Sequence, residues 1–282
     1  MNRWLSCLLL ALATSASMPA SAQDIVADLR AHRFDAVERP LLAAEDAFQA
    51  RRISEYDLLD AYKVFYLEQD VLSEDMAAWE HAHPASWIAR LASGTYHRKL
   101  GEIRRGQGYI QDVAADDRRY MLRQFDLARA ELQRALELNP RSYLALLNLA
   151  NVAQFVDDDA LADKTLTAAN QAYPGNLLIR ARYLVHLTPR WGGSLPAVDA
   201  FVEDTRKAHA PPDVVRLLEA TRDTEHGFAD ETQGRQERAL ESYRQAVAEA
   251  ARGGVDPRFA RTYLLYALRH CAIDPAGPPA CR

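Results

Sequence analysis

Cysteine is scarce in this sequence, and its spacing excludes the usual metal and redox sites. Only Cys7, Cys271 and Cys281 occur among 282 residues, and none forms the Cys-x-x-Cys pair of zinc and thiol-redox proteins. Cys271 and Cys281 lie on either side of three prolines, so they could close one small loop in an oxidising compartment. We predict a disulfide between them in a Pro-rich C-terminal tail, residues 271–282.

Long apolar runs are also missing beyond the first 22 residues. None approaches the roughly 20 uninterrupted apolar residues of a membrane span. The start of the chain combines Arg3, a short apolar core from Leu5 to Leu12 and small residues at Ala20 and Ala22. These are the three parts of a secretory signal. We therefore predict a signal peptide at residues 1–22, export to the periplasm or the extracellular space, and no membrane span after cleavage.

An excess of basic charge is absent. The chain has 34 Lys and Arg residues against 39 Asp and Glu residues, for a net charge of −5. Nucleic acids and anionic membranes attract proteins with the opposite balance. The composition therefore argues against either of them as the main partner.

Catalytic signatures are missing as well. The sequence contains no His-Glu-x-x-His, Gly-x-Ser-x-Gly or Ser-x-x-Lys pattern and no phosphate-binding glycine loop. Trp79-Glu80-His81-Ala82-His83 offers two histidines and one acid, which fall short of a defined metal site. A helix end with solvated histidines is favoured there, while a metal site and a hydrogen-bonded pocket wall stay open. We predict no catalytic residue, no metal and no cofactor, and a non-enzymatic role is favoured over an enzymatic one.

Helical periodicity dominates what is present, and no run alternates with a period of two. Pro140 and Pro174 end two helices 34 residues apart, which is the tetratricopeptide length. The small residues before each proline keep the same register, and they are Ala128 and Ala135 in the first unit and Ala162 and Ala169 in the second. Ala239, Tyr243 and Ala246 repeat the pattern later. We predict an all-α fold, a tetratricopeptide-like solenoid of antiparallel helix pairs, with one domain at residues 23–270.

Several local predictions accompany this fold. Ser142 is expected to cap the helix that follows Pro140. Gly94 and Gly101 lie inside a predicted helix, where glycine usually serves close packing or a bend. The polar run 225–233 predicts a loop, and one last helix is expected to start at Asp256.

The run from Leu187 to Ser194 predicts a sharp corner. Pro189 stops the preceding helix, Gly192 and Gly193 allow unusual backbone angles, and Ser194 is a good cap for the next helix. Arg190 and Trp191 lie between these residues. The favoured interpretation is architectural, with Trp191 filling a gap between helices and Arg190 binding free helix carbonyls. In the alternative, the pair faces a ligand.

These pieces together resemble a bacterial family known as domain of unknown function 4034. The resemblance rests on Trp79 with Pro84-Ala85-Ser86, on Arg105-Gly106, on the helix from Ala128 to Pro140, and above all on Arg190-Trp191-Gly192-Gly193-Ser194. It extends over about residues 34–270. The family has no assigned activity, so the resemblance implies a tetratricopeptide-like fold and no mechanism. It also implies that Trp79, Ser86, Arg105 and the corner belong to one feature.

Two functional hypotheses follow. In the first, the protein is a non-enzymatic scaffold that binds a protein or peptide partner in the concave groove of its stacked helices. In the second, a ligand-binding or hydrolytic pocket takes an acidic small ligand. The candidate contacts are Trp79, His81, Ser86, Arg105, Arg190 and Trp191. Convergence of Arg105 and Arg190 on a cleft would favour the pocket, and we expect the closing solenoid to bring Trp191 towards Trp79 and Arg105.

Overall fold

The computed structural model describes residues 22–67, 69–106, 110–252, 254–272 and 280–281. All but the last residue of the predicted signal peptide, and the prolines of the tail, lie outside these ranges. In the described chain, no helix combines the length and the apolar character needed to cross a bilayer.

Fourteen α-helices form within the described residues. Their bounds are α1 (Ala22–Arg30), α2 (Phe34–Gln49), α3 (Glu55–Tyr62), α4 (Ser73–Ala82), α5 (Trp87–Arg105), α6 (Ala115–Leu138), α7 (Tyr143–Val156), α8 (Asp159–Ala172), α9 (Leu178–His186), α10 (Leu195–Lys207), α11 (Pro212–Thr232), α12 (Gln236–Ala251), α13 (Pro257–Tyr263) and α14 (Leu265–His270). Short 3-10 helices occupy Lys63–Phe65, Ile110–Asp112 and Pro189–Trp191. Two strands of two residues, β1 (Cys271–Ala272) and β2 (Ala280–Cys281), pair antiparallel.

The helices pack in neighbouring pairs, which confirms the predicted all-α repeat fold. The pairs are α5 with α6, α7 with α8, α9 with α10, and α11 with α12. The first helix of each pair also packs on the first helix of the next, so α5, α7, α9 and α11 form one continuous layer. Helices α13 and α14 follow the last pair, and α14 packs on both α11 and α12.

Small residues set the spacing within the pairs, as the repeat register predicts. Ala128, Ala135, Ala162, Ala169, Ala239 and Ala246 are all buried on the second helices of their pairs. Glycines on the first helices fit against large side chains of the second. A methyl group at Gly101 would lie 2.7 Å from the Phe125 ring, and one at Gly94 would lie 2.6 Å from Leu132. These glycines therefore serve close packing.

Three local predictions were wrong. Residues 225–232 continue helix α11, because Glu225 is neutralised there by Arg190 and Gly227 packs against Tyr243. Ser142 stands at the start of α7 but its side chain makes no capping bond. The expected last helix is divided at Leu264 into α13 and α14.

The solenoid closes on itself through two long-range contacts of α3. Glu55, at the start of α3, accepts hydrogen bonds from the backbone N–H groups of Leu177 and Leu178 and so caps α9. Nη1 of Arg258 donates hydrogen bonds to Oδ1 of Asp57 at 3.0 Å and to Oδ2 of Asp60 at 2.6 Å. Residues about 200 positions apart are thereby joined, and α13 is held over the layer of first helices.

Candidate functional site

The inner face of the layer holds two adjoining cavities of about 290 and 180 Å³. Both are lined by Glu102, Arg182, Thr262 and Tyr263, so they are neighbours that share a wall, and we call the two together the inner cleft. Its walls come from α5, α7 and α9, and α13 and α14 close one side. Side chains from the first helices of three successive pairs therefore meet in this cleft.

The Pro189–Ser194 corner places two further side chains, those of Arg190 and Trp191, at the inner cleft. Pro189–Trp191 forms one 3-10 turn, and Gly192 takes a left-handed φ of 91°. A methyl group at Gly193 would lie 2.1 Å from the carbonyl oxygen of Leu187, so only glycine fits this close approach. The Ser194 hydroxyl then accepts a hydrogen bond from the Ala197 N–H at 3.3 Å and caps α10. Close backbone packing and hydrogen bonds therefore constrain the turn on both sides of Arg190 and Trp191.

Arg190 binds a buried carboxylate rather than helix carbonyls, so the carbonyl-binding role predicted for it was wrong. Its Nη2 lies 2.6 Å from Oε1 of Glu225, whose side chain is 3% exposed. Nη1 donates to the Tyr266 hydroxyl at 3.2 Å, and the guanidinium lies over the Tyr266 and Phe228 rings. Burial raises the pKa of Glu225, and the charge of Arg190 opposes that rise. This contact ties the corner to α11 and α14.

Trp191 and Arg105 meet in the inner cleft, although 86 positions separate them in the sequence. The Arg105 guanidinium lies 4.9 Å from the centre of the Trp191 ring, a cation–π geometry. The indole and the Phe155 ring of α7 form a T-shaped pair, with ring centres 5.7 Å apart. Arg105 reaches this place because α5 ends there, at Gly106 with a φ of 66°. Burial lowers the pKa of Arg105.

Arg182 and Gln154 are two cleft residues that the sequence analysis missed. Nη1 of Arg182 donates to Oε1 of Gln154 at 2.9 Å, and the guanidinium lies 5.8 Å from the centre of the Tyr263 ring. One signal could have revealed this face of α7. Asn148, Asn151 and Gln154 follow at steps of three in an otherwise apolar helix, and all three are buried on the cleft side.

Basic side chains outnumber acidic ones in the cleft. Its lining contains the basic residues Arg98, Lys99, Arg105, Arg182 and Arg190, and the acidic residues Glu102 and Glu225. Arg98 and Lys99 share one carboxylate, because their nitrogens lie 2.5 and 3.3 Å from the oxygens of Glu102. Burial raises the pKa of Glu102, but the neighbouring cations outweigh it and hold the pKa below its usual range. The cleft is thus positive in a chain of net charge −5.

The structure places the other three candidate residues elsewhere. Trp79 is fully buried and donates its indole N–H to Oε1 of Glu38 at 2.9 Å. His81 is exposed in the last turn of α4, and Ser86 caps α5 by accepting the Ala89 N–H at 3.1 Å. None of the three lines the inner cleft, so the expected approach of Trp191 to Trp79 was wrong, while that to Arg105 is confirmed.

A larger groove of about 720 Å³ lies at the turns between the helices. It carries charges of both signs, with Arg51 and Arg141 against Glu55, Asp213 and Asp256. Glu55 is already engaged as the cap of α9, and Asp256 accepts bonds from Arg258. The groove therefore presents no charge preference comparable to that of the inner cleft.

Metal coordination finds no support in the described ranges, where no three His, Cys, Asp or Glu side chains are grouped closely enough to hold an ion. Comparisons with protein-family models, with curated proteins and with solved structures found no match. The resemblance to domain of unknown function 4034 therefore stays a prediction, and the chemistry of the inner cleft carries the functional argument.

Proposed function

We propose that this protein is a non-enzymatic helical-repeat scaffold of the cell envelope that binds an acidic segment of a protein or peptide partner in its inner cleft. The observation that carries the proposal is the charge of the cleft, five basic side chains against two acidic ones in an acidic chain. A carboxylate-bearing segment would complement that charge, and the acidic outer surface would repel it elsewhere.

The side chains of the cleft also suit a peptide. Trp191, Tyr263 and Tyr266 present ring faces beside guanidinium groups, so apolar and charged parts of one segment can bind side by side. Stacked helices hold these groups at fixed separations, which limits the entropy lost on binding.

Export and the disulfide belong to the same proposal. The signal-like start of the chain would deliver the protein to an oxidising compartment. The register of β1 and β2 places Cys271 opposite Cys281. Directly opposed residues in an antiparallel pair have Cα atoms about 4.5 to 5.5 Å apart, within the range that a disulfide spans. We expect the bond to fix the C-terminal tail beside α12.

A small anionic ligand is the second candidate. Helices α13 and α14 close one side of the cleft, and the larger cavity of about 290 Å³ is close to the lower end of small-molecule sites. A carboxylate or a fragment of the cell wall would meet the same arginines and rings. The two candidates differ in whether a polypeptide leaves the cleft at its open side.

Site-specific photocrosslinking in the native host separates them. A benzophenone amino acid at Leu265, a cleft residue that is 40% exposed, should trap one envelope protein or peptide. The same group at Leu127, which is 46% exposed on α6 outside the cleft, is the matched control and should not trap it. An excess of glutamate-rich peptide should abolish the product at Leu265.

Two outcomes would contradict the peptide proposal. Equal products from both positions would place the partner outside the cleft. No product from Leu265, together with a small anion that copurifies with the protein in native mass spectrometry, would favour the small-ligand candidate.

A further inference from the structure

Four buried hydrogen-bond donors of the inner cleft are left without an acceptor in the part of the chain that the structure describes. Two are the Nε atoms of Arg98 and Arg190, whose charges are already paired with Glu102 and Glu225, and the other two belong to Gln154 and Arg182. Nε2 of Gln154 and Nε of Arg182 have no hydrogen-bond partner among the described residues. Gln154 is 2% exposed, so bulk water does not replace the missing acceptor. Buried donors are nearly always paired in folded proteins, and an unpaired one points to a group that is absent from the structure.

The bond between the two side chains fixes which atoms remain available. Oε1 of Gln154 accepts Nη1 of Arg182 at 2.9 Å, which leaves Nε2 as the unused end of the amide. The Arg182 guanidinium lies 5.8 Å from the centre of the Tyr263 ring, near the limit of a cation–π contact. Arg182 has no ion-pair contact to a carboxylate in the described chain within bonding distance, unlike Arg190 beside Glu225 and Arg98 beside Glu102.

We propose that Arg182 and Gln154 form a carboxylate-binding pair that anchors the acidic segment of the partner. This inference rests on the proposed function and names the chemical group that the cleft selects. The guanidinium supplies the charge and the amide N–H supplies a second donor from a different helix. A carboxylate on a side chain and a C-terminal carboxylate would satisfy the pair equally.

A monoanionic carboxylate suits the surroundings better than a phosphate dianion. Glu102 and Glu225 remain in the cleft and offset part of its positive charge. Glu102 is also close enough to Arg182 for the two charges to influence each other. A phosphate dianion would concentrate two negative charges at one point near these carboxylates, whereas an acidic segment spreads its charges along the cleft, and the planar donors match a planar acceptor.

Gln154→Glu tests the pair with little change of shape. It keeps an oxygen for Nη1 of Arg182 and replaces the unused donor with an acceptor. Calorimetric titration of the full chain would use tetraglutamate with a free C-terminus, tetraglutamate with an amidated C-terminus, and amidated tetraglutamine. Gln133→Glu is the matched control, because it makes the same change at an exposed position of α6 outside the cleft.

We expect the wild type to bind both tetraglutamates and not tetraglutamine. Gln154→Glu should weaken binding at least tenfold, and Gln133→Glu should stay within twofold of the wild type. A clear preference for the free C-terminus would identify a terminal carboxylate as the group, and equal binding would identify a side chain. Should Gln154→Glu unfold, Gln154→Met removes the donor without adding charge and should cause the same loss.

The failures can be told apart. No binding of either tetraglutamate by the wild type would overturn the proposed function and this inference with it. Binding by the wild type that Gln154→Glu and Gln154→Met leave unchanged would overturn only the assignment to Arg182 and Gln154. Inorganic phosphate that competes with tetraglutamate at equal concentration would overturn the preference for carboxylate.

Discussion

Trp79 and Trp191 were both predicted to belong to one site, yet they lie in very different surroundings. Trp79 is fully buried against Phe34, with its N–H bound to Glu38, and its region is part of the core. Trp191 is half-buried at a rigid corner, with one face under Arg105 and the inner cleft beside it. The difference teaches that a tryptophan beside charged residues in the sequence can belong to the core or can face a cavity, and that here the turn places Trp191 at the cavity.

Trp79→Ala should give the largest effect. It removes a fully buried indole and leaves Glu38 without the N–H that it accepts, so the free energy of unfolding should fall by about 3 to 5 kcal/mol. Urea denaturation followed by circular dichroism measures the loss. A change below about 1 kcal/mol would place Trp79 outside the core and remove the contrast with Trp191.

Arg190→Ala should rank next, with a loss of about 3 kcal/mol, because it leaves the Glu225 carboxylate buried without its cation. The pKa of Glu225 should then rise further, since Arg190 is the group that opposes the effect of burial. The folded state would hold that proton more tightly than the unfolded state, so the variant should lose stability as pH rises.

Arg190→Ala with Glu225→Gln is the control for this effect, since it removes both charges. It should recover most of the loss and the pH dependence. If the double variant is as unstable as Arg190→Ala alone, the ion pair is not what holds the corner.

Buried carboxylates extend the comparison. Glu225 near the corner has Arg190 as its counter-charge. Glu45 on α2 has the Tyr62 hydroxyl and the Asp46 carboxylate as neighbours and forms no ion pair within the described ranges, and burial raises the pKa of Glu45 from 4.5 to about 7. The folded state therefore binds a proton that the unfolded state releases. The contribution of Glu45 to stability should be greatest below pH 4.5, fall by up to about 3 kcal/mol as pH rises to 7, and then level off.

Glu45→Gln should flatten that profile and stabilise the protein above pH 7, because an uncharged amide replaces the carboxylate. Thermal unfolding between pH 4.5 and 8 compares the two proteins, with Glu137→Gln on the exposed face of α6 as the control. Parallel profiles for wild type and Glu45→Gln would contradict the assignment of this proton.

Arg105→Ala should have the smallest effect on stability and a clear effect on binding. Its cation–π contact with Trp191 is worth about 0.5 to 1 kcal/mol. Loss of one cleft cation should weaken tetraglutamate binding about fivefold to tenfold, as expected for a charge-assisted contact. Arg134→Ala, which breaks an exposed pair with Glu137, is the control and should alter neither quantity measurably.

Much of the fold was accessible from the sequence because local periodicity determines it. Pro140 and Pro174 marked the repeat, and the alanines of the second helices were buried as predicted. The extent of α11 was missed, because the charge of Glu225 is compensated by Arg190, 35 positions away, and no local pattern reveals that pairing. Local sequence patterns predict amphipathic helices well. They wrongly predict a loop where a helix is polar and its polar residues are paired by tertiary contacts.

Only about half of the residues of the cleft could be predicted from the sequence, for the same reason. Arg105, Arg190 and Trp191 stood out because they accompany glycines and proline at helix ends. Arg182 and Gln154 lie within helices, and their pairing depends on how α9 stacks on α7. Trp79 was assigned to the site on its residue type, and its burial could not be read from its neighbours in the sequence.

The indole N–H resonances of Trp79 and Trp191 in one NMR spectrum test the central claim most directly. On titration with tetraglutamate, the Trp191 resonance should shift progressively and saturate, because its ring lies in the cleft beneath Arg105. The Trp79 resonance should stay in place, since that N–H is buried against Glu38. A shift of Trp79 with no shift of Trp191 would contradict the assignment of the inner cleft as the site that binds carboxylates.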